Sequence, residues 1–205
     1  DRSILDANQF LVSNIRGTYT ILEILRKQKK RLVQISTDEV YGSLENGSAT
    51  EDFRYNPSNP YAATKASAEL LVNSYVKTYD LDCVITRCTN NYGPRQFYEK
   101  LIPKTIFLAN QDKKIPIYGT GKNIRDWIFV DDHCEAVYNV LLNGKSGESY
   151  NGKFIRKVGL SSVVFHTDFL INSSNGLVSS PNLPSLSHNT YNFVSRVSAI
   201  LFNTI

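Results

Sequence analysis

RLVQISTDEVYG, residues 31–42, is an apolar-rich run that ends in a polar triplet. Arg31–Ser36 reads as a buried parallel strand, because strands covered on both faces lose the in-out alternation of half-exposed ones. Thr37-Asp38-Glu39 then falls at the carboxyl end of that strand, where open α/β sheets bind ligands. Downstream, NPYAATKASAE (59–69) takes helical spacing from Pro60 onward. Tyr61 and Lys65 are four apart and share one helix face. The two stretches offer a hydroxyl, two carboxylates, a phenol and an ammonium to one site.

These residue types suit a redox dehydration. A phenol with its ordinary pKa near ~10 is a poor base at neutral pH, and a neighbouring lysine charge is expected to lower it. Tyrosinate then takes a proton from a sugar hydroxyl while hydride leaves for a nicotinamide ring. The new ketone acidifies the adjacent C–H. One carboxylate removes that proton, and a second, protonated carboxyl helps expel a β-hydroxyl as water. Adjacent carboxyls with opposite tasks need separated pKa values. Each piece has a plainer reading: Tyr-x-x-x-Lys arises by chance on amphipathic helices, and Asp-Glu is an ordinary solvated turn. The strand, the turn and the Asn-Pro-Tyr helix start together outweigh those readings.

The wider pattern alternates helices and strands. Helices are expected at Ser3–Arg26, Tyr61–Tyr79, Tyr98–Asn110 and Asp132–Leu142. Strands are expected at Leu32–Ser36, Cys83–Arg87, Ile115–Tyr118 and Trp127–Val130. Such alternation implies a parallel sheet. The fold class is α/β, a partial Rossmann-like doubly wound parallel sheet with part of a smaller substrate-binding subdomain. The turn-rich stretch Leu44–Asn59 has the length of an active-site border.

Several segments together resemble the extended short-chain dehydrogenases/reductases and, within them, the dTDP-glucose 4,6-dehydratases. They are DRSI (1–4), SNIRGTYTILE (13–23), ISTDEVYGS (35–43), PSNPYAATKASAELLV (57–72), TRCTNNYGPRQ (86–96), EKLIPK (99–104), PIYGTGKNIRDWIFVDDHCEA (116–136) and GESYN (147–151). Related epimerases and decarboxylases share Tyr-x-x-x-Lys and Val-Tyr-Gly, whereas the Thr-Asp-Glu triplet is the dehydratase variant. The resemblance implies NAD as cofactor, a nucleotide-diphosphate sugar as substrate and a homodimer built on paired helices. It implies Tyr61 as the base for hydride abstraction and Lys65 as its modulator and ribose contact. Thr37 would bond the sugar's 4-oxygen, Glu39 remove the C5 proton and Asp38 protonate the departing C6 hydroxyl. Ser36, Cys88 and Asn91 would join Tyr61 and Lys65 along the cofactor. Ser3, Asn90, Lys100, Leu101, Pro116, Ile117, Tyr118 and Arg125 would join Thr37 in holding substrate. A guanidinium fork such as Arg125 suits diphosphate oxygens; its plain alternative is a surface ion pair with Asp126.

The family opens with a strand, a Gly-x-x-Gly-x-x-Gly turn and a helix that takes the pyrophosphate. DRSI corresponds to a point after those elements, so the fingerprint is expected outside this sequence and NAD binding by the isolated chain is expected to be weak. Gly119-Thr120-Gly121 opens no helix and reads as a turn. At the other end the resemblance stops after Asn151. Residues 152–205 form a divergent Ser/Asn-rich tail that reads as frameshifted or poorly ordered sequence, the competing reading being a divergent substrate domain. From residue 151 on there are four basic residues and one acidic. Removing them from totals of 23 and 19 leaves 19 and 18 in residues 1–150. The body is near neutral, which argues against a nucleic-acid surface. The basic run 26–31 follows an amphipathic stretch and reads as a helix end. Cys83, Cys88 and Cys134 lack metal-ligand spacing, and no metal, signal or membrane-length segment is expected. The cytoplasm is the expected compartment. Two functions from different classes stay open: a working nucleotide-sugar dehydratase, or a non-catalytic remnant that keeps its motifs. A related epimerase or decarboxylase is a third reading.

Overall fold

The structure, a computed structural model, describes residues 2–44, 47–117 and 125–152. These fall into two units, one of residues up to 93 together with 125–152 and one of residues 94–117. The expected tail lies outside the described residues but for its first member, as do Tyr118 and the 119–121 turn.

In the first unit, α1 (Arg2–Leu5), α2 (Asn8–Phe10) and α3 (Gly17–Gln28) lead into β1 (Leu32–Thr37) and a 3-10 turn at Asp38–Tyr41. Then follow α4 (Pro60–Tyr79), β2 (Cys83–Cys88) and β3 (Asn90–Tyr92). The second unit contributes α5 (Leu101–Ala109). The chain returns to the first unit with β4 (Trp127–Phe129), α6 (Val130–Asn143) and β5 (Ser149–Asn151). Strands β1, β2 and β5 form one sheet in that order, and β3 pairs with β4; every pairing is parallel.

Strand β2 shows why both faces are covered. Cys83 and Ile85 pack with Leu22 of α3 and with Val72, Tyr75 and Leu81. Thr86, pointing the other way, lies among Ala136, Val137 and Val140 of α6. Leu22, Val72 and Ile85 are at most 1% exposed, and full burial of each such side chain contributes about 1.5–3 kcal/mol. This is the doubly wound arrangement that the alternation implied. Helix α4 starts where Asn59 caps it and Pro60 occupies the first turn, with φ already set for a helix. It stops where Asp80 turns left-handed at φ 52°.

The expected helix Ser3–Arg26 is broken. The Asp6 carboxylate accepts from Asn8 N–H and interrupts it after α1, and Leu11–Arg16 is a π-helical turn. Residues 115–117 are not a strand; Pro116 has no N–H for a ladder. Val130 begins α6 instead of ending β4, and the short strands β3 and β5 were not anticipated. The basic run does end a helix. Lys29 closes α3 with φ 52°, and its ammonium donates to the Tyr79 carbonyl at the end of α4 (3.0 Å). Among the described residues no helix is long and apolar enough to cross a membrane.

One row across the sheet is polar and buried: Ser36 of β1 lies beside Arg87 of β2, which lies beside Asn151 of β5. Glu69 of α4 faces this row and is 0% exposed, Arg87 4%. Arg87 donates to both Glu69 oxygens (2.6–3.2 Å), to the Tyr41 and Tyr55 hydroxyls and to the Glu51 carbonyl. Glu69 also accepts from Ser36 Oγ (2.5 Å) and the Tyr55 hydroxyl (3.0 Å). The Tyr41 hydroxyl in turn donates to Asn151 Oδ1 at 2.7 Å. Breaking a buried pair by neutralising one partner costs about 3–5 kcal/mol, because it strands the other charge. Glu69→Gln is therefore expected to lose that much stability in urea unfolding, and adding Arg87→Met to recover part of it. A double variant less stable than Glu69→Gln would show that packing, not charge balance, holds this row.

Candidate active site

The carboxyl ends of β1 and β2 carry the predicted catalytic residues. Thr37 and Cys88 are register partners as the last residues of their strands. Thr37 is extended and caps the 3-10 turn: its Oγ1 accepts from Glu39 N–H (3.3 Å) and donates to Asp38 Oδ1 (3.3 Å). Asp38 and Glu39 thus occupy the first turn of a short helix. Gly42 closes that turn at φ 74°, and a side chain there would run into the Asn56 carbonyl.

Helix α4 supplies the rest. Tyr61 lies in its first turn with the edge of the Phe10 ring against it, centroids 5.8 Å apart. One turn later Lys65 donates to the Ile35 carbonyl of β1 at 2.6 Å. A further turn on, Glu69 reaches Ser36. Ser36 Oγ is therefore committed to the buried row, and its carbonyl lies 3.6 Å from the Cys88 thiol. Asn91 of β3 donates to that same sulfur (3.5 Å).

The charges interact as one cluster. Burial first, then Glu39 and Asp126, raise the Asp38 carboxyl from 3.8 to about 6, against the Thr37 hydrogen bond. Burial, then Glu39, Cys88 and Asp38, push the Tyr61 phenol up to about 12. Here the structure differs from the expectation that Lys65 brings the phenol down. The ammonium is held on a backbone carbonyl and burial lowers its own pKa, while acidic groups crowd the phenol. Burial also raises the Cys88 thiol.

The predicted substrate residues are distributed as follows. Ser3 is the buried residue of α1. Asn90 bonds the Asp126 carbonyl through its backbone (3.3 Å) and its side chain (3.2 Å). Arg125 is exposed just before β4. Lys100, Leu101, Pro116 and Ile117 belong to the second unit, with Lys100 preceding α5 as its cap and Leu101 opening it. Sequence reasoning missed Phe10, Asn59, Glu69 and Arg87. Two left a trace: Glu69 continues the four-residue spacing of Tyr61 and Lys65, and an arginine inside the buried run CVITRC demands an anion.

The chain is similar to several known proteins in sequence and in fold. The family model described as GDP-mannose 4,6 dehydratase matches residues 1–168, past the point where the resemblance read from sequence stops. A dTDP-glucose 4,6-dehydratase of Streptomyces griseus is 49% identical over 152 residues, covering 74% of this chain and 46% of that protein. The low-salt glycan biosynthesis protein Agl12 of Haloferax volcanii is 52% identical over 152 residues, covering 74% and 49%. The crystal structure of DesIV, a dTDP-glucose 4,6-dehydratase from Streptomyces venezuelae determined with NAD bound, superimposes with a TM-score of 0.72 at 46% identity, covering 74% of this chain and 47% of that one. The chain thus spans about half the length of the curated relatives it matches.

Asp38 yields a prediction of definite sign. Its folded pKa of about 6 exceeds the unfolded 3.8, so the folded state holds the proton more tightly. The associated stability is complete below about pH 4 and lost as pH rises through about 6. Asp38→Asn removes that loss. Its stability relative to the unsubstituted chain should rise between about pH 4 and about pH 7, by at most ~3 kcal/mol at ~1.4 kcal/mol per pKa unit. Urea unfolding at the two pH values measures it; an unchanged difference would mean an ordinary carboxyl.

Proposed function

The chain belongs to the GDP-mannose 4,6 dehydratase family, and from that membership and the geometry of its strand ends we propose that it carries the catalytic residues of an NAD-dependent nucleotide-sugar 4,6-dehydratase acting on dTDP-glucose. One observation carries the reading: the Asn59 amide that caps α4, two residues before Tyr61, also holds the Glu39 carboxylate at 2.9 Å, so the helix start and the Asp38-Glu39 turn lie side by side. A tyrosine base for the oxidation and an acid–base pair for the elimination can therefore address one substrate.

The donor set fits a nicotinamide ribose. A lysine ammonium, a phenol one turn away and the Cys88–Asn91 segment converge on the carboxyl ends of parallel strands, where such ligands lie. Tyr61, Lys65, Ser36, Cys88 and Asn91 are the proposed contacts, Ser36 through its backbone. NAD supplies reversible acceptance of hydride, taken from C4 and returned to C6. The residues of this chain move the protons. Tyr61 takes the proton of the 4-hydroxyl as the ketone forms, with Thr37 on the 4-oxygen, once a positive charge brought beside the phenol offsets the burial and the carboxylates that raise its pKa. Glu39 takes the proton from C5. Asp38, whose raised pKa keeps it protonated at a pH where ordinary carboxyls are ionised, gives its proton to the C6 hydroxyl as that group leaves as water. A proton returns to C5 at the end, so the sequence balances.

Ser3, Asn90 and Arg125 are proposed substrate contacts in the first unit. Exposed Tyr19, Ile21 and Ile24 on α3 and Leu70 on α4 support pairing with a second copy. The three cysteines are free thiols, which supports a reducing cytoplasmic setting.

The test is a chimera in which residues 1–151 replace the matching stretch of the Streptomyces griseus relative. It should convert dTDP-glucose to the 4-keto-6-deoxy product and leave GDP-mannose unchanged. Tyr61→Phe should form no NADH in a single turnover. Asp38→Asn should form NADH and retain it, because loss of a general acid slows water elimination by about 10²–10⁴-fold. Equal loss of NADH formation in both variants would remove Asp38 as a dedicated acid and favour an epimerase.

A further inference from the structure

Asn59 makes two hydrogen bonds with one planar amide. Its Oδ1 accepts from Ala62 N–H at 2.9 Å, capping α4. Its Nδ2 donates to Glu39 Oε2 at 2.9 Å. Chemistry fixes which end is which, since a backbone N–H needs an acceptor and a carboxylate needs a donor. The amide is rigid, so the first turn of α4, with Tyr61 two residues on, is tied directly to the Glu39 carboxylate. Glu39 is exposed, and an exposed glutamate otherwise spreads over many rotamers. Its backbone N–H is already held by Thr37. Backbone and side chain are thus fixed from opposite sides, one by the strand end and one by the helix start. With Oε2 on Asn59, Oε1 remains to take a proton.

We propose that Asn59 is a positioning residue for the elimination: it sets where the Glu39 carboxylate stands relative to Tyr61, and hence to the hydrogen on C5. The proposal rests on the dehydratase reading above. Its physical basis is that proton transfer requires hydrogen-bond reach, and a misplacement of about 1 Å costs up to ~10²-fold.

Capping and positioning are separable. Asn59→Asp keeps an N-cap of equal preference but sets a carboxylate against Glu39. Asn59→Ser keeps the cap and is too short to reach Glu39. In the chimera, both variants should oxidise C4 at a rate within about threefold of the parent yet clear NADH roughly 10- to 100-fold more slowly, as is also expected of Glu39→Gln, with KM for dTDP-glucose unchanged. Were Asn59 a mere cap, both variants would leave the melting temperature and the ratio of the two rates alone, which overturns the proposal. A second measurement uses the 205-residue chain itself. The Asn59 side-chain amide resonances in ¹⁵N spectra should move on Glu39→Gln; resonances that stay put would overturn the bond. If the parent chimera is inactive while those resonances move, the dehydratase reading falls and the tie between Asn59 and Glu39 stands.

Discussion

An arginine in the middle of a parallel sheet has to be answered by an anion, and the first unit is arranged around that requirement. Arg87 lies on the central strand, and its partner Glu69 comes from the helix that packs on that face. The pair sets how α4 is rotated about its axis. With Glu69 turned onto Arg87, residues four and eight positions earlier face the same way, which places Lys65 against the Ile35 carbonyl and Tyr61 beside the Thr37 turn. The same guanidinium reaches the Glu51 carbonyl and the Tyr55 hydroxyl, so the long connection before α4 is fastened to the sheet as well. Every polar group of the pair has a partner, the condition under which a buried ion pair is tolerable.

Above that neutral foundation the site is rich in acid. The two carboxyls of the 3-10 turn act on the Tyr61 phenol, while the Lys65 ammonium is occupied with a carbonyl. Burial and these neighbours favour the protonated phenol, and Asp38 retains a proton where an isolated aspartate would not. A positive charge brought close to the phenol would oppose this, since an opposite charge stabilises phenolate.

What was legible in the sequence was local. An apolar run before a polar triplet, a helix start marked by Asn-Pro and a four-residue spacing each declare themselves within a dozen residues, and from them the strand end and the helix beside it followed; the catalytic roles came only with the family resemblance. What was not legible depended on distance. Arg87 and Glu69 are 18 positions apart and Asn59 and Glu39 are 20, and no pattern within either segment names the other. The influence of Lys65 on Tyr61 was misjudged for the same reason: spacing puts them on one face but does not reveal that the Ile35 carbonyl engages the ammonium. The strand anticipated at 115–118 shows the limit of apolar composition, since a strand also needs donors, and Pro116 has none.

The π-helical turn at Leu11–Arg16 has a consequence of another kind. A wide turn carries an extra residue without turning the helix that follows. Here it lets Phe10 meet Tyr61 while Leu22, farther along, still enters the core. Removing one residue would tighten the segment to an ordinary helix and rotate everything before it by roughly 100°. Phe10 would swing off the tyrosine, although α3 would be undisturbed. Substitutions at exposed Leu11, Val12, Ser13 and Arg16 are cheap by comparison, whereas Asn14 donates to the Thr64 hydroxyl of α4 at 2.9 Å. The spelling of those four positions is free to drift, while the number of all six is held by a ring contact at one end and a packed leucine at the other.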